Sequence, residues 1–333
     1  MGTMRQPIRN HSNLAATLLL VALGALGSHP ASAGTGQAVR ERSDQVVGAA
    51  GITGIAIENS RGDVTVEASS DGMIHISALK TSRGSDRDRA AKFSTATRVE
   101  TATESGRFTV RVRYPQRHEV RVSFWDLFSD FEFPRVDVRL VVQIPPGLPV
   151  SLTSTSGDLE TRDLAGAQTL RTTSGDIGLD GAHGMVEAHS TSGDIEVAGA
   201  LKCHAETVSG DVTIRDAHGA LQVSTTSGEV VVEGAADSVR VATVSGDVRI
   251  AEARLGLSAR STSGQITVEA ASGPVRVSTA SGDVSLGLRS PLGATEAETG
   301  SGDIEVRFFG AVGCRLDVQT ANGTVDVGVP LSV

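Results

Sequence analysis

The sequence predicts an all-β protein, a parallel β-solenoid of two-strand coils about eighteen residues long, preceded by an irregular amino-terminal region. Three observations predict it. Glycines recur as Gly157, Gly175, Gly193, Gly210, Gly228, Gly246, Gly264, Gly282, Gly302 and Gly323, spaced 18, 18, 17, 18, 18, 18, 18, 20 and 21 residues apart. Apolar residues hold the same two places around each of them. Aromatic residues are only 3% of the chain, so a core must be built from small aliphatic side chains.

Residues 1–33 read as a secretory signal. Arg5 and Arg9 form a basic head, Leu14 to Leu26 an apolar stretch too short to span a bilayer, and Ala31-Ser32-Ala33 a small-x-small cleavage site. Export to the periplasm, the cell surface or the medium is therefore expected, with no membrane span in the mature chain. The net charge is −9, and Lys80, Lys92 and Lys202 are the only lysines. That balance argues against nucleic acid and anionic lipid as partners.

Residues 34–149 form a divergent amino-terminal coil and a capping region. Ile55, Ile57, Gly62, Val64 and Val66 occupy the places of the later coils, so residues 51–68 read as one more coil, turning at Arg61-Gly62-Asp63. The tripeptide resembles an integrin-type adhesive motif, but Gly-Asp also recurs as turn chemistry in most later coils. A charged stretch, residues 85–89, then breaks the repeat. An aromatic run from Phe124 to Phe133 follows and holds five of the ten aromatic residues. Within it Phe124, Leu127, Phe128 and Phe131 fall at i, i+3, i+4 and i+7, with Trp125 beside them, so a short helix presents one apolar face before Pro134 ends it. It reads either as a cap or flap over exposed solenoid core or as a partner-binding face.

Residues 150–333 are the tandem Ser-Gly-Asp repeats. Five residues before each glycine stands an apolar residue (Leu152, Leu170, Ala188 and so on), and two after it another (Leu159, Ile177, Ile195). Three before it stands Ser or Thr in all ten units. Period two holds on each side of the glycine but slips by one residue across it, so the chain must turn or bulge there. Glycine supplies a backbone angle costly for other residues, and the following Asp is expected to bond the local backbone. A second, looser turn closes each coil on the opposite side. Stacked at about 4.8 Å, ten such coils make a rod on the order of 45 Å long.

Candidate chemistry is sparse. The sequence has no nucleophile elbow, zinc-protease helix, phosphate loop or paired-cysteine metal site, so it predicts no enzyme and no cofactor. The acidic column after the glycines reads as solvated turn residues or as a cation ladder. Glu187, His189, His204 and Glu206 fall on outward columns of adjacent coils and read as surface ion pairs or a metal site. Cys203 and Cys314 sit six coils apart, about 29 Å, too far for a disulfide within one chain. Cys203 is expected inside, in a column with Val186 and Leu221.

The tandem Ser-Gly-Asp-(Ile/Val)-x-(Val/Ile) units, led in by Val141-Val142-Gln143-Ile144-Pro145, resemble the bacterial toastrack domain, an adhesin-type β-strand-repeat family also known as domain of unknown function 4097. The resemblance spans roughly residues 50 to 333. It implies a cell-envelope scaffold or adhesin-like protein presenting a rigid surface to an envelope protein or polysaccharide, and it supplies no catalytic residues. An envelope-stress accessory or sensor, or a carbohydrate-active β-helix enzyme, are the alternatives.

Overall fold

The computed structural model describes residues 38–84, 87–115, 135–310 and 315–328, all within one compact unit. The signal-like segment, the aromatic run with its proposed partner surface (Phe124, Trp125, Leu127, Phe128, Phe131) and Cys314 lie outside the described residues. Among the described residues there are twenty-five strands and one helix, Arg87–Ala96, and no helix is long and apolar enough to cross a membrane.

From Val150 onward the chain is a parallel β-solenoid. One ribbon stacks Val150–Ser156 on Gln168–Arg171, Met185–Ser192, Lys202–Ser209 and their successors, and the other stacks Leu159–Arg162 on Ile177–Asp180, Ile195–Ala198, Val212–Ala217 and theirs. Register follows the repeat, so Leu152, Leu170, Ala188, Ala205 and Val223 form one column. These residues and the column from Leu159 through Ile177, Ile195 and Val212 are all at most 1% exposed. An alternating strand cannot bury one face alone. Here the inward faces of the two ribbons bury each other, and each fully buried aliphatic side chain contributes roughly 1.5–3 kcal/mol.

In two late coils the looser turn disappears. Ile266–Ser281 and Val284–Ser301 each run continuously from one ribbon into the other, with register shifts where they bend. The last coil, Leu316–Asn322 and Val325–Gly328, leaves Val325 at 44% and Val327 at 36% exposure.

The amino-terminal region continues the stack and then closes it. Gly54–Arg61 pairs directly with Val150–Ser156, and Val64–Ala68 with Leu159–Arg162, so the coil expected over 51–68 sits on the first repeat. The intervening chain makes a further layer: Arg107–Arg113 stacks in parallel on Gly54–Arg61, and Arg135–Ile144 on Val64–Ala68. Beyond this layer direction reverses. Arg98–Glu104 pairs antiparallel with Arg107–Arg113, Met73–Arg83 with Arg135–Ile144, and Val39–Gly48 with Met73–Arg83. The parallel edge is thus covered rather than left open to another chain.

The helix falls where the sequence suggested only a charged interruption. Its residues RDRAAKFSTA offer little apolar periodicity, and only Ala90, Phe93 and Ser94 are buried. Tertiary contacts hold it: Ser94 donates to Glu41 at 3.1 Å, and the Thr97 hydroxyl bonds the Phe93 carbonyl at 2.9 Å.

Candidate functional site

The Ser-Gly-Asp column is a structural device. Gly228 has φ +143°, and a Cβ there would lie 2.6 Å from the carbonyl carbon of Gly210 in the preceding coil. Glycine is thus required by close approach of stacked backbones as well as by its angle. The aspartate does not bond its own turn, as the sequence suggested. It serves the next coil: Asp158 Oδ1 accepts the N–H of Asp176 at 2.9 Å, Asp176 that of Asp194 at 2.8 Å, and Asp211 that of Glu229 at 2.7 Å. Stacking puts the next backbone N–H closer than any free donor in the turn. The same kind of bond, from the N–H and hydroxyl of Thr324, holds the Asp303 carboxyl below its usual range.

Three residues before the glycine, several of the hydroxyls reach back, while those of Ser154, Thr172, Thr225 and Thr243 are buried without a partner among the described residues. Thr207 donates to the Gly193 carbonyl at 3.2 Å and Thr299 to that of Gly282 at 3.0 Å. In the first coil Asn59 takes this place. Fully buried, it donates to the Gly62 carbonyl at 2.8 Å and to Val138 at 2.7 Å, anchoring the turn to the covering layer. Cys203 stacks between Val186 and Leu221, 1% exposed, and burial pushes its thiol up to about 12. It is a small apolar filler, not a nucleophile.

Glu187 and His204 are cross-strand neighbours, as are His189 and Glu206. His189 Nε2 lies 3.1 Å from Glu187 Oε1, and its Nδ1 3.3 Å from Glu206 Oε2. The rings of His189 and His204 meet edge to face at 5.5 Å. Arg171 holds Glu187 from the other side at 3.1 Å, and the His189 bond keeps the Glu187 carboxyl below the usual range.

A concavity lies elsewhere, and the repeat pattern gave no sign of it. A cleft of about 1080 Å³ opens where Gly62 and Gly157 turn and the covering strands begin. Arg40, Arg61, Arg83, Arg135 and Arg139 line it against two carboxylates, Asp63 and Asp137. Arg83 pairs with Asp137 at 3.3 Å and Arg139 with Asp63 at 3.0 Å. Arg61 lies over the Tyr114 ring at 5.6 Å, while Arg40 and Arg135 form no ion pair with a described residue. Tyr114 bonds Asn59 at 2.7 Å and the Arg61 carbonyl, and burial raises its phenol. Both charges of Arg61-Gly62-Asp63 are therefore engaged within the protein, as suits a turn rather than a free adhesive tripeptide. The signal available in the sequence was charge at alternate positions, Arg135, Asp137 and Arg139, in a strand whose outer face meets Arg83 and Thr81.

A family model described as Toastrack DUF4097 matches residues 147–217 and 202–327, together more than half of the 333-residue chain. No curated protein matches it. Among solved structures, the chain is similar to a putative adhesin from Bacteroides fragilis at 13% identity, over 86% of this chain and 97% of that one, with a TM-score of 0.30. A putative adhesin from Parabacteroides merdae is 12% identical over 87% and 97%, TM-score 0.32. A putative lipid binding protein from Parabacteroides distasonis has the same identity, coverage and score.

Proposed function

This chain belongs to the Toastrack DUF4097 family, and from that premise we propose that it is a non-catalytic, exported binding scaffold of the cell envelope, whose stacked coils hold a basic cleft for an anionic polysaccharide. The observation that carries the reading is the cleft, five arginines against two aspartates in a chain of net charge −9. Guanidinium groups pair bidentately with carboxylate, sulfate or phosphate, and Arg40 and Arg135 form no ion pair with a described residue. Arginine does not titrate near neutrality, so the cleft is suited to binding rather than to general acid–base chemistry. The signal-like amino terminus and the adhesin names of the similar structures support the same reading.

The test is affinity electrophoresis of the mature protein through gels containing a polyuronate or neutral dextran. Retardation by the polyuronate alone, fading between about 50 and 200 mM salt as screening increases, is expected. Equal retardation by dextran, or none by either, would overturn the polysaccharide reading, and binding of acidic protein in its place would redirect it.

A further inference from the structure

The His/Glu square lies two coils beyond the Gly157 turn of the cleft and is independent of it. Its geometry contains an unresolved pairing. At neutral pH Glu187 has no proton to give, so the 3.1 Å contact requires His189 Nε2–H to donate to Glu187 Oε1. That fixes the proton of a neutral imidazole on Nε2 and leaves the Nδ1 lone pair facing Glu206 Oε2 at 3.3 Å. A lone pair and a carboxylate oxygen repel unless something positive lies between them. Either a second proton on His189 or a metal ion meets that need.

Three features favour the metal. Donors held 2.0–2.1 Å from a tetrahedral zinc ion stand about 3.3–3.4 Å apart, which is the separation of Nδ1 and Oε2. His204 brings a third donor, and one ligand atom from each of His189, His204 and Glu206 falls within 4.8 Å of the other two. Behind His189, Glu187 accepts its other ring N–H and is itself held by Arg171. This is the carboxylate–histidine support that orients ligating imidazoles and sets their tautomer. The four side chains project from adjacent strands of a rigid parallel ribbon, so little ordering is needed on binding.

We propose that His189, His204 and Glu206 bind one divalent transition-metal ion of the zinc type, with Glu187 as the outer carboxylate and water completing the coordination. Two imidazoles and one carboxylate suit Zn²⁺ and not Ca²⁺ or Mg²⁺, which take all-oxygen sets.

Isothermal titration of tag-free mature protein with ZnCl₂ in a non-chelating buffer tests it. One ion per chain is expected, with affinity reduced at least about tenfold by His204→Ala, by Glu206→Gln and by Glu187→Gln. His183→Ala and His218→Ala should leave affinity unchanged. All these side chains are at the surface, so circular dichroism will show whether a variant retains the fold. Nitrogen-15 spectra give a second readout, since zinc should shift His189 Nδ1 and leave Nε2 protonated. No zinc binding, or binding undiminished by His204→Ala and Glu206→Gln, overturns the proposal. So does a doubly protonated His189 that zinc does not perturb, which would leave the square as an ordinary imidazolium between two carboxylates.

Discussion

The repeats and the amino-terminal region distribute arginine differently. Along the repeats outward arginines are spread over the faces: some are tied to carboxylates one coil away, Arg171 to Glu187, Arg276 to Glu296, and Arg215 to both Glu196 and Glu233, and others, such as Arg240, Arg249 and Arg260, stand beside uncharged neighbours. Stacking places each outward residue beside its equivalent in the next coil, so charge is neutralised only where that equivalent is acidic. Where the period breaks, five arginines drawn from between Arg40 and Arg139 face one cleft, and Arg40 and Arg135 form no ion pair with a described residue. Repetition spreads arginine along a rigid surface, and its interruption gathers five of them in one cleft.

The sharpest way to break the comparison is to put the same substitution into both regions. Gly228→Val should cost about 4 kcal/mol, combining backbone strain with collision against the stacked Gly210. Gly72→Val in the amino-terminal region has φ +71° but nothing within 4 Å of its added Cβ, and should cost only about 1–2 kcal/mol. Urea unfolding measures both. Equal costs would mean that coil-to-coil contact is not what demands glycine.

The aspartate column provides a smaller contrast within the repeats. Asp211→Ala deprives the Glu229 N–H of its acceptor and should cost about 1–1.5 kcal/mol. Glu229 bonds no N–H in the coil above, because its carboxylate is one methylene farther out, so Glu229→Ala should change stability by less than about 0.5 kcal/mol. Matching losses in urea midpoint would refute the ladder.

The hydroxyl column should show a change of sign. Thr225 Oγ1 is buried without a hydrogen-bond partner, and Thr225→Val should stabilise by about 1 kcal/mol. Thr299 donates to Gly282, and Thr299→Val should destabilise by a similar amount. Thermal melts that move in the same direction for both would contradict the assigned bonds.

The smallest effect is in the covering layer. Asp71 accepts from Ser69, the Met73 N–H and His75, which lower its pKa from 3.8 to about 2. A carboxyl depressed in the folded state stabilises above its unfolded pKa, and that contribution is lost as pH falls from about 4 to 2. Asp71→Asn should therefore flatten the pH dependence of the urea midpoint in that window. An unchanged slope would remove Asp71 from the acid response.

The repeat was legible in the sequence because position dictates residue type there: Leu170, Ala188 and Ala205 share a column, and so do Val186, Cys203 and Leu221. Period two on either side of a fixed glycine gives the strands, the turn and the inward faces. It also placed Glu187 beside His204. Two things were hidden. The acceptor role of Asp158 and its equivalents depends on which backbone N–H stacking brings nearest, which local turn chemistry does not reveal. The cleft assembles Arg40, Arg61, Arg83, Arg135 and Arg139 from four strands, two of them antiparallel to their neighbours in the covering layer. Their convergence follows from strand reversal beyond the last parallel layer, and residues without a period carry no mark of it.

The most direct test of recognition at the break in the repeat compares two double variants in the polyuronate assay. Arg40→Ser with Arg135→Ser removes two cleft charges that have no ion pair among the described residues, and Arg215→Ser with Arg276→Ser removes two ion-paired charges from the repeat faces. The net charge change is identical. The cleft pair should weaken binding at least about tenfold, as loss of charge-assisted contacts does, and the repeat pair by less than about twofold. Equal weakening, or a larger loss from the repeat pair, would contradict a binding site in the cleft.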